Sequence, residues 1–115
     1  MIKMIAIIFL LGSGCVFAQT NEELLEETAV VCASHHAIAA VLTESKLSKM
    51  GFSREGKWWR SLLEKLTNKA EAKRRVFQAM EDLRSRWNSK EISWEELLNI
   101  GENCSQTKLS LQSLR

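Results

Sequence analysis

Residues 20–42 read TNEELLEETAVVCASHHAIAAVL, and this stretch decides the fold class. Apolar side chains recur in it at three-, four- and seven-residue steps, the spacing of one face of an α-helix. Thr20 or Asn21 can cap this helix, and glutamates follow in its first turns, where negative charge is favourable. The stretch predicts a long first helix that fades around residues 48–50 and stops at Gly51.

Three further amphipathic segments follow along the chain. Ser53 can cap a second helix, and residues 67–68 end or kink it, although the second and third helices could also be continuous. A third helix is expected over residues 69–87, and the capping box of residues 93–96 begins the last one. No segment alternates with period two for long. The sequence therefore predicts an all-α fold, a small bundle or array of about four amphipathic helices.

The N-terminus has the pattern of a secretory signal peptide. Lys3 gives a short positive lead, residues 5–11 are apolar, and residues 16–18 present the short side chains that signal peptidase reads. The apolar run is too short to span a bilayer, which takes about 18–20 residues. We expect residues 1–18 to be removed. Residues 19–115 would then be a single exported domain, periplasmic in a Gram-negative bacterium or secreted, without stable membrane insertion.

Cys15 leaves a second interpretation of this leader open. Ser13-Gly14-Cys15 is similar to the end of a bacterial lipoprotein signal, but Gly12 stands where such signals favour leucine. A lipid on Cys15, or an uncleaved leader, would instead hold the protein on a membrane.

Cys32 and Cys104 are the two cysteines that remain after export. They lie in the first and last predicted helices, and an exported chain meets oxidising conditions, so we expect a disulfide between them. Redox-active cysteines usually lie two residues apart instead. Closing a loop of about 70 residues would stabilise the fold by roughly 4–4.5 kcal/mol. That is a large share of the 5–15 kcal/mol typical of a whole domain.

Cys32, His36 and Cys104 form the best candidate metal set in the sequence. Cys32 and His36 are four residues apart and share a helix face, but zinc favours a fourth ligand and His35 points about 100° away. Oxidised cysteines could not bind a metal at all. We therefore predict no metal and no other cofactor, with one histidine half-buried and hydrogen-bonded and the other facing solvent.

Residues 57–60 read KWWR and provide the candidate partner-binding residues Trp58, Trp59 and Arg60. Trp and Arg are frequent hot spots of protein interfaces, and Trp also favours membrane interfaces. Neighbouring residues on a helix point about 100° apart, so both tryptophans cannot be equally buried. The structural alternative is one core tryptophan and one that its neighbours partly cover.

Charge and motifs narrow the function classes. The chain has 16 Lys+Arg and 14 Asp+Glu, a net charge of +2 that offers no strong field for nucleic acid. No nucleophile–base arrangement, phosphate loop or zinc-protease motif stands out, so we predict no catalytic residues and no enzyme activity. We predict binding to an envelope or secreted protein, in an inhibitor, immunity-type or lysis-regulator-like role that rests on architectural analogy alone. The oligomeric state stays open.

Two alternatives remain. The first is a metal-binding protein that uses the Cys/His cluster and keeps free thiols. The second is a carrier of small apolar ligands, whose cavity would be lined by Val31, Ile38, Leu63, Met80 and Leu83. Because protein interiors are normally close-packed, the same residues could simply fill the core.

Overall fold

The computed structural model describes residues 20–114, and these residues form four α-helices without a strand. The helices are α1 (Asn21–Leu42), α2 (Lys46–Leu66), α3 (Lys69–Asn88) and α4 (Trp94–Ser113). The prediction of an all-α fold with four helices is confirmed. The leader and the two interpretations of its cleavage lie outside the described residues.

α1 begins at a reciprocal cap. The Thr20 hydroxyl accepts a hydrogen bond from the Glu23 amide at 3.1 Å, and the Glu23 carboxylate accepts one from the Thr20 amide at 3.0 Å. α1 ends at Leu42 because Thr43 takes an extended backbone, with φ −72° and ψ 143°. The sequence-based end near residue 50 is therefore wrong.

α2 begins earlier than the sequence predicted. The Ser45 hydroxyl, and not that of Ser53, caps the helix by accepting from the Ser48 amide at 3.2 Å. Gly51 lies inside α2, and nothing lies within 4 Å of the place where its Cβ would be. Thr43 and Ser45, on either side of Glu44, therefore mark the boundary between the helices instead of Gly51. Their hydroxyl groups offer the backbone hydrogen bonds outside the helix.

The other two connections follow the predicted positions. Thr67 leaves helical geometry with φ −126° and ψ −103°, so α2 and α3 are separate, and Asn68 caps α3 by accepting from the Glu71 amide at 2.8 Å. Ser93 and Glu96 make the predicted reciprocal cap of α4 at 3.1 and 2.9 Å.

α1 is the central helix. It packs against α2, α3 and α4, while α2 also packs against α3 and α4 contacts mainly α1. One core cluster involves all four helices, and its buried members are Ala29, Cys32, Ala33, Trp59, Leu63, Ala72, Val76 and Cys104. A second, smaller cluster lies where α1, α3 and α4 meet, with Ile38, Leu83 and Leu97 buried. The small alanine side chains in the larger cluster let the helices approach closely.

The predicted disulfide joins the first helix to the last. Cys32 and Cys104 are bonded, their Cα atoms are 5.7 Å apart, and both side chains are buried in the larger core cluster. None of the helices in residues 20–114 combines the length and apolar character needed to cross a membrane.

Candidate functional site

A groove between α2 and α4, with α1 as its floor, contains two cavities; we call it the α2–α4 groove. The larger cavity measures about 410 Å³ and the smaller about 170 Å³. The larger is lined by His36, Ser48, Gly51, Phe52, Arg54, Glu55, Leu98, Gly101, Glu102 and Ser105. The smaller is lined by Leu25, Trp58, Leu62, Leu111 and Gln112. The larger cavity joins the early turns of α2 to the early turns of α4, and the smaller cavity joins their later turns. The two helices therefore run in the same direction, opposite to α1.

A charged contact separates the two cavities. Lys108 on α4 donates a hydrogen bond from Nζ to the Glu55 carboxylate on α2 at 2.9 Å. The same ammonium lies 5.3 Å from the centroid of the Trp58 ring. Both members of the ion pair are mostly buried, so solvent screens their attraction less than at an open surface. This contact ties α2 to α4 across the groove.

The two adjacent tryptophans occupy different environments. Trp59 is fully buried in the core, whereas Trp58 is half-buried in the wall of the smaller cavity. Their rings meet edge to face, with centroids 4.9 Å apart and planes at 86°. Trp59 therefore holds Trp58 in place without being reachable itself. A partner-binding surface can use Trp58 but not the Trp59 side chain.

Arg60 lies apart from the groove. Residues two apart on an α-helix are rotated by about 200°, so Arg60 and Trp58 project from opposite sides of α2. The Arg60 side chain is 50% exposed and pairs with Glu64 at 3.8 Å. The KWWR segment is therefore not one continuous face, and the partner-binding role predicted for its residues stays a prediction.

His36 lies beneath the larger cavity and between two glycines. Its side chain is 3% exposed, and neither ring nitrogen has a hydrogen-bond partner among the described residues. A Cβ at Gly56 on α2 would lie 3.3 Å from the His36 Cβ, and one at Gly101 on α4 would lie 3.4 Å from its Cε1. The absent side chains let both helices close over the imidazole.

The surroundings of His36 favour its neutral form. Burial lowers the pKa of His36 below its ordinary value, the Glu55 carboxylate opposes this shift, and the charges of His35 and Lys108 reinforce it. The Glu55–Lys108 pair thus presents two opposing charges to the ring. His36 is an uncharged, unpaired polar group in the interior, which is costly for a fold to keep.

His35 is also buried, but on another side of α1. Its Nδ1 donates to the Val31 carbonyl at 2.7 Å, which fixes the proton of the neutral ring on Nδ1. Burial lowers the pKa of His35, the hydrogen bond to Val31 opposes the shift, and the positive charge of Arg86 on α3 adds to it. The expectation of one hydrogen-bonded histidine is confirmed, but neither histidine faces solvent.

The structure bears on the residues of both alternative functions, metal binding and the carrying of small apolar ligands. Both sulfurs of the predicted metal set are in the disulfide, and no group of three or more His, Cys, Asp or Glu in residues 20–114 is arranged to hold a metal ion. None of the residues expected to line a carrier cavity lines either cavity of the groove. Ile38, Leu63 and Leu83 are packed in the core, and Val31 is 43% exposed.

Sequence reasoning missed the residues that shape the groove. Gly56 and Gly101 interrupt helical patterns, and an isolated glycine inside a helix can mark a close approach of another segment. Lys108 gave no local signal because its partners, Glu55 and Trp58, are about 50 residues away in the sequence and meet it only in the folded chain.

No protein-family model matches the chain, and no curated protein or solved structure shows significant similarity to it.

Proposed function

We propose that this chain is a small exported protein that acts by binding an envelope or secreted protein in the α2–α4 groove, without catalysis of its own. The observation that carries the proposal is the half-buried Trp58, held at the groove by Trp59 and Lys108. An inhibitor, an immunity-type protein or a lysis regulator would each work by covering a partner in this way.

The disulfide supports the export half of the proposal. Disulfides persist in oxidising compartments and are rare in the cytosol, and the apolar leader supplies a route out of it. A bridge between α1 and α4 also fixes one wall of the groove to its floor. A fixed groove favours affinity because less conformational freedom is lost on binding.

The larger cavity, at about 410 Å³, has the size of a small-molecule site, but the smaller cavity beside Trp58 does not. Its volume of about 170 Å³ is below the range of about 300–1,000 Å³ typical of ligand pockets. Three of its lining residues, Leu25, Leu62 and Leu111, are apolar. A single apolar side chain from a partner would fit such a site, with Trp58 as the anchor beside it.

The larger cavity does not present an assembled pair of nucleophile and base among its lining residues. It places His36 in the same lining as Ser48 and Ser105, the pair of residue types that hydrolases use. Neither ring nitrogen of His36 is hydrogen-bonded to a serine or to any other described residue. The ring nitrogens are also sealed from the surface, so this histidine is not presented as a general base.

Site-specific photo-crosslinking in the exporting cells tests the proposal. A photoreactive phenylalanine replaces Trp58 in one variant and Arg60 in a matched control two residues along the same helix. We expect one adduct of defined mass from position 58 and none from position 60. Excess wild-type protein should suppress the adduct, and excess Trp58→Ala protein should not.

The identified partner then permits a quantitative test. Because anchor residues often contribute about 2 kcal/mol or more, Trp58→Ala should weaken binding roughly thirtyfold. Arg60→Ala should leave the affinity within about twofold, since its exposed ion pair faces away from the groove. Equal crosslinking from both positions, or an affinity that depends on Arg60 alone, would contradict a groove-based function.

A further inference from the structure

The outer face of α2, directed away from α1, bears no carboxylate. At steps of three and four residues it carries Leu47, Met50, Arg54, Lys57, Ser61 and Lys65, and all six are exposed. We call these six residues the α2 ridge. At about 1.5 Å per residue the ridge is roughly 27 Å long, with its apolar pair at one end and its cations along the rest.

The cations of the ridge have no counter-ions. Arg54 is the one arginine in residues 20–114 without an ion pair. The other five are paired, as Arg60–Glu64, Arg74–Glu71, Arg75–Glu26, Arg84–Glu81 and Arg86–Asp82. Lys57 and Lys65 likewise have no ion-pair or hydrogen-bond partner in the described part of the chain. The ridge is therefore a local surplus of positive charge on a chain that is otherwise close to neutral.

The apolar end of the ridge is unusually open. Leu47 is 81% exposed and Met50, one helical turn later, is 61% exposed. Val41, near the end of α1, is 60% exposed and lies only a short loop before them. Single exposed apolar residues are common, but two on consecutive turns beside unpaired cations form an amphipathic surface.

Helix stability does not explain the positive charge at the beginning of α2, although Lys65 in the last turn is favourably placed near the negative end of the helix dipole. Lys46 and Lys49 occupy the first turn of α2, which contains no acidic residue. Cations at a helix N-terminus interact unfavourably with its dipole, whereas α1, α3 and α4 each place glutamate there. The beginning of α2 thus accepts an electrostatic cost that the other helices avoid.

We propose that the α2 ridge docks this protein on the surface of an anionic phospholipid bilayer. Lys57, Lys65 and Arg54 would lie among the lipid phosphates, and Leu47 and Met50 would enter the boundary between headgroups and acyl chains. This peripheral docking goes beyond the proposed partner binding. Arg54 also lines the larger cavity of the groove, but none of the six ridge residues lines the smaller cavity beside Trp58. The docking needs no membrane-spanning helix, and it leaves the smaller cavity open to a partner.

The exposed apolar pair is the reason to favour a lipid surface over a soluble polyanion. Nucleic acids and acidic polymers present charge without an apolar layer, so they would use the cations alone. A bilayer binds both the cations and the apolar side chains, and the two contributions add along one helix face. Docking should therefore depend on Leu47 and Met50 as well as on the cations.

Vesicle flotation tests the proposal with the oxidised protein isolated from the exporting cells. Its intact mass is determined first, because an uncleaved apolar leader would bind vesicles by itself. We expect binding to vesicles of phosphatidylcholine mixed with phosphatidylglycerol, little binding to phosphatidylcholine alone, and weakening by added salt. Arg54→Gln/Lys57→Gln should reduce the partition coefficient about thirtyfold. Leu47→Ser/Met50→Ser should reduce it roughly tenfold.

Two matched double variants on other helices serve as controls. Lys69→Gln/Lys73→Gln removes the same charge from exposed positions of α3, and Phe77→Ser/Leu109→Ser removes two apolar residues that are 62% and 66% exposed. Both controls should keep the wild-type partition within about twofold, since surface substitutions away from the docking face have small effects.

Three results would overturn the proposal. Equal binding to both vesicle types would show that anionic lipid is not recognised. Equal losses of binding in the ridge and control variants would show that the ridge is not the docking face. Binding to a soluble polyanion such as heparin that depends on Arg54 and Lys57 but not on Leu47 and Met50 would assign the ridge to an acidic polymer or protein instead. Thermal unfolding checks that all four variants are folded.

Discussion

The two sides of α1 are built on different principles. Towards α3 the contact is apolar and tight, with Ala72, Val76 and Leu83 buried, and one ion pair between Arg75 and Glu26 at 2.8 Å. Towards the α2–α4 groove, α1 presents His36 beneath a cavity of about 410 Å³. The α3 side resembles an ordinary helix interface, whereas the groove side keeps polar groups and open volume that packing alone would remove.

This difference separates the parts of the molecule that secure the fold from those free to bind. His35 and His36 illustrate it at adjacent positions. His35 is close enough to Arg86 on α3 to feel its charge and has a hydrogen bond, while His36 interacts with Glu55 and Lys108 of the groove and has none. Buried polar groups without a partner are uncommon in folded proteins, and the Trp59 indole N–H in the core is a second one among the described residues. His36 differs from it in lying beneath the open groove, which is the side where we propose that a partner binds.

The largest expected effect comes from removing the disulfide. Cys32→Ala/Cys104→Ala should lower the free energy of unfolding by roughly 4–4.5 kcal/mol, because the bridge closes a loop of 72 residues in sequence. Hydrogen exchange should show that α4 loses protection before α3 does, since α4 contacts mainly α1. Reductant should destabilise the wild type equally and leave the variant unchanged. Equal loss of protection in both helices would contradict the proposed asymmetry.

The second effect separates the two tryptophans. Trp59→Ala should cost about 3 kcal/mol or more, because it opens a cavity in the shared core. Trp58→Ala should cost less, about 1–2 kcal/mol, because that ring is only partly covered and lies in the wall of the groove. Urea unfolding of both variants measures the difference. Similar losses would mean that Trp58 is part of the core and would weaken the groove as a binding surface.

Periodicity and capping were enough to predict the fold class, the four helices and the disulfide between the first and the last. The reciprocal caps at Thr20 and Ser93 could be read from local sequence because their partners lie three residues away. The boundary between α1 and α2 could not. Both Gly51 and Ser45 are valid stop or start signals, and the sequence alone does not show which of them is used; in the structure the Ser45 hydroxyl caps α2.

The groove depended on contacts that a one-dimensional pattern does not contain. Sequence reasoning identified His36 and Trp58, and it gave one core and one partly covered tryptophan as the structural alternative to a partner-binding role. The sequence did not show that His36 and Trp58 lie along one groove. The Glu55–Lys108 contact that separates their cavities joins residues 53 positions apart. Sequence reasoning also treated Arg60 as a neighbour of Trp58, although the helix places them on opposite sides.

The two glycines of α2 provide a third comparison, because replacing each with alanine should change the stability in opposite directions. Gly51→Ala should stabilise the protein by about 0.5–1 kcal/mol, because its Cβ would meet nothing within 4 Å and alanine favours a helix. Gly56→Ala should destabilise it by about 1 kcal/mol, because its Cβ would press on His36 and the α1 backbone at 3.3–3.6 Å. Stabilisation by both changes would show that α1 and α2 separate easily.

The smallest expected effect is a loss of stability in mild acid. Burial lowers the pKa of both His35 and His36 below the ordinary 6.5, so the unfolded chain binds more protons than the folded one. The free energy of unfolding is therefore highest above pH 6.5, and it decreases as the pH falls below that value. The ordinary pKa of 6.5 in the unfolded chain limits the loss at pH 6 to less than about 1 kcal/mol for each histidine.

Urea titrations between pH 8 and pH 6 measure this loss before the carboxylates titrate. His36→Gln should reduce the slope by the contribution of the groove side, and His35→Gln should reduce it by that of the α3 side. If the groove opens enough for water to reach the imidazole, His36 would titrate with an ordinary pKa and His36→Gln would leave the slope unchanged. The two variants thus show whether α2 and α4 close over His36 in solution as tightly as α3 packs on the other side of α1.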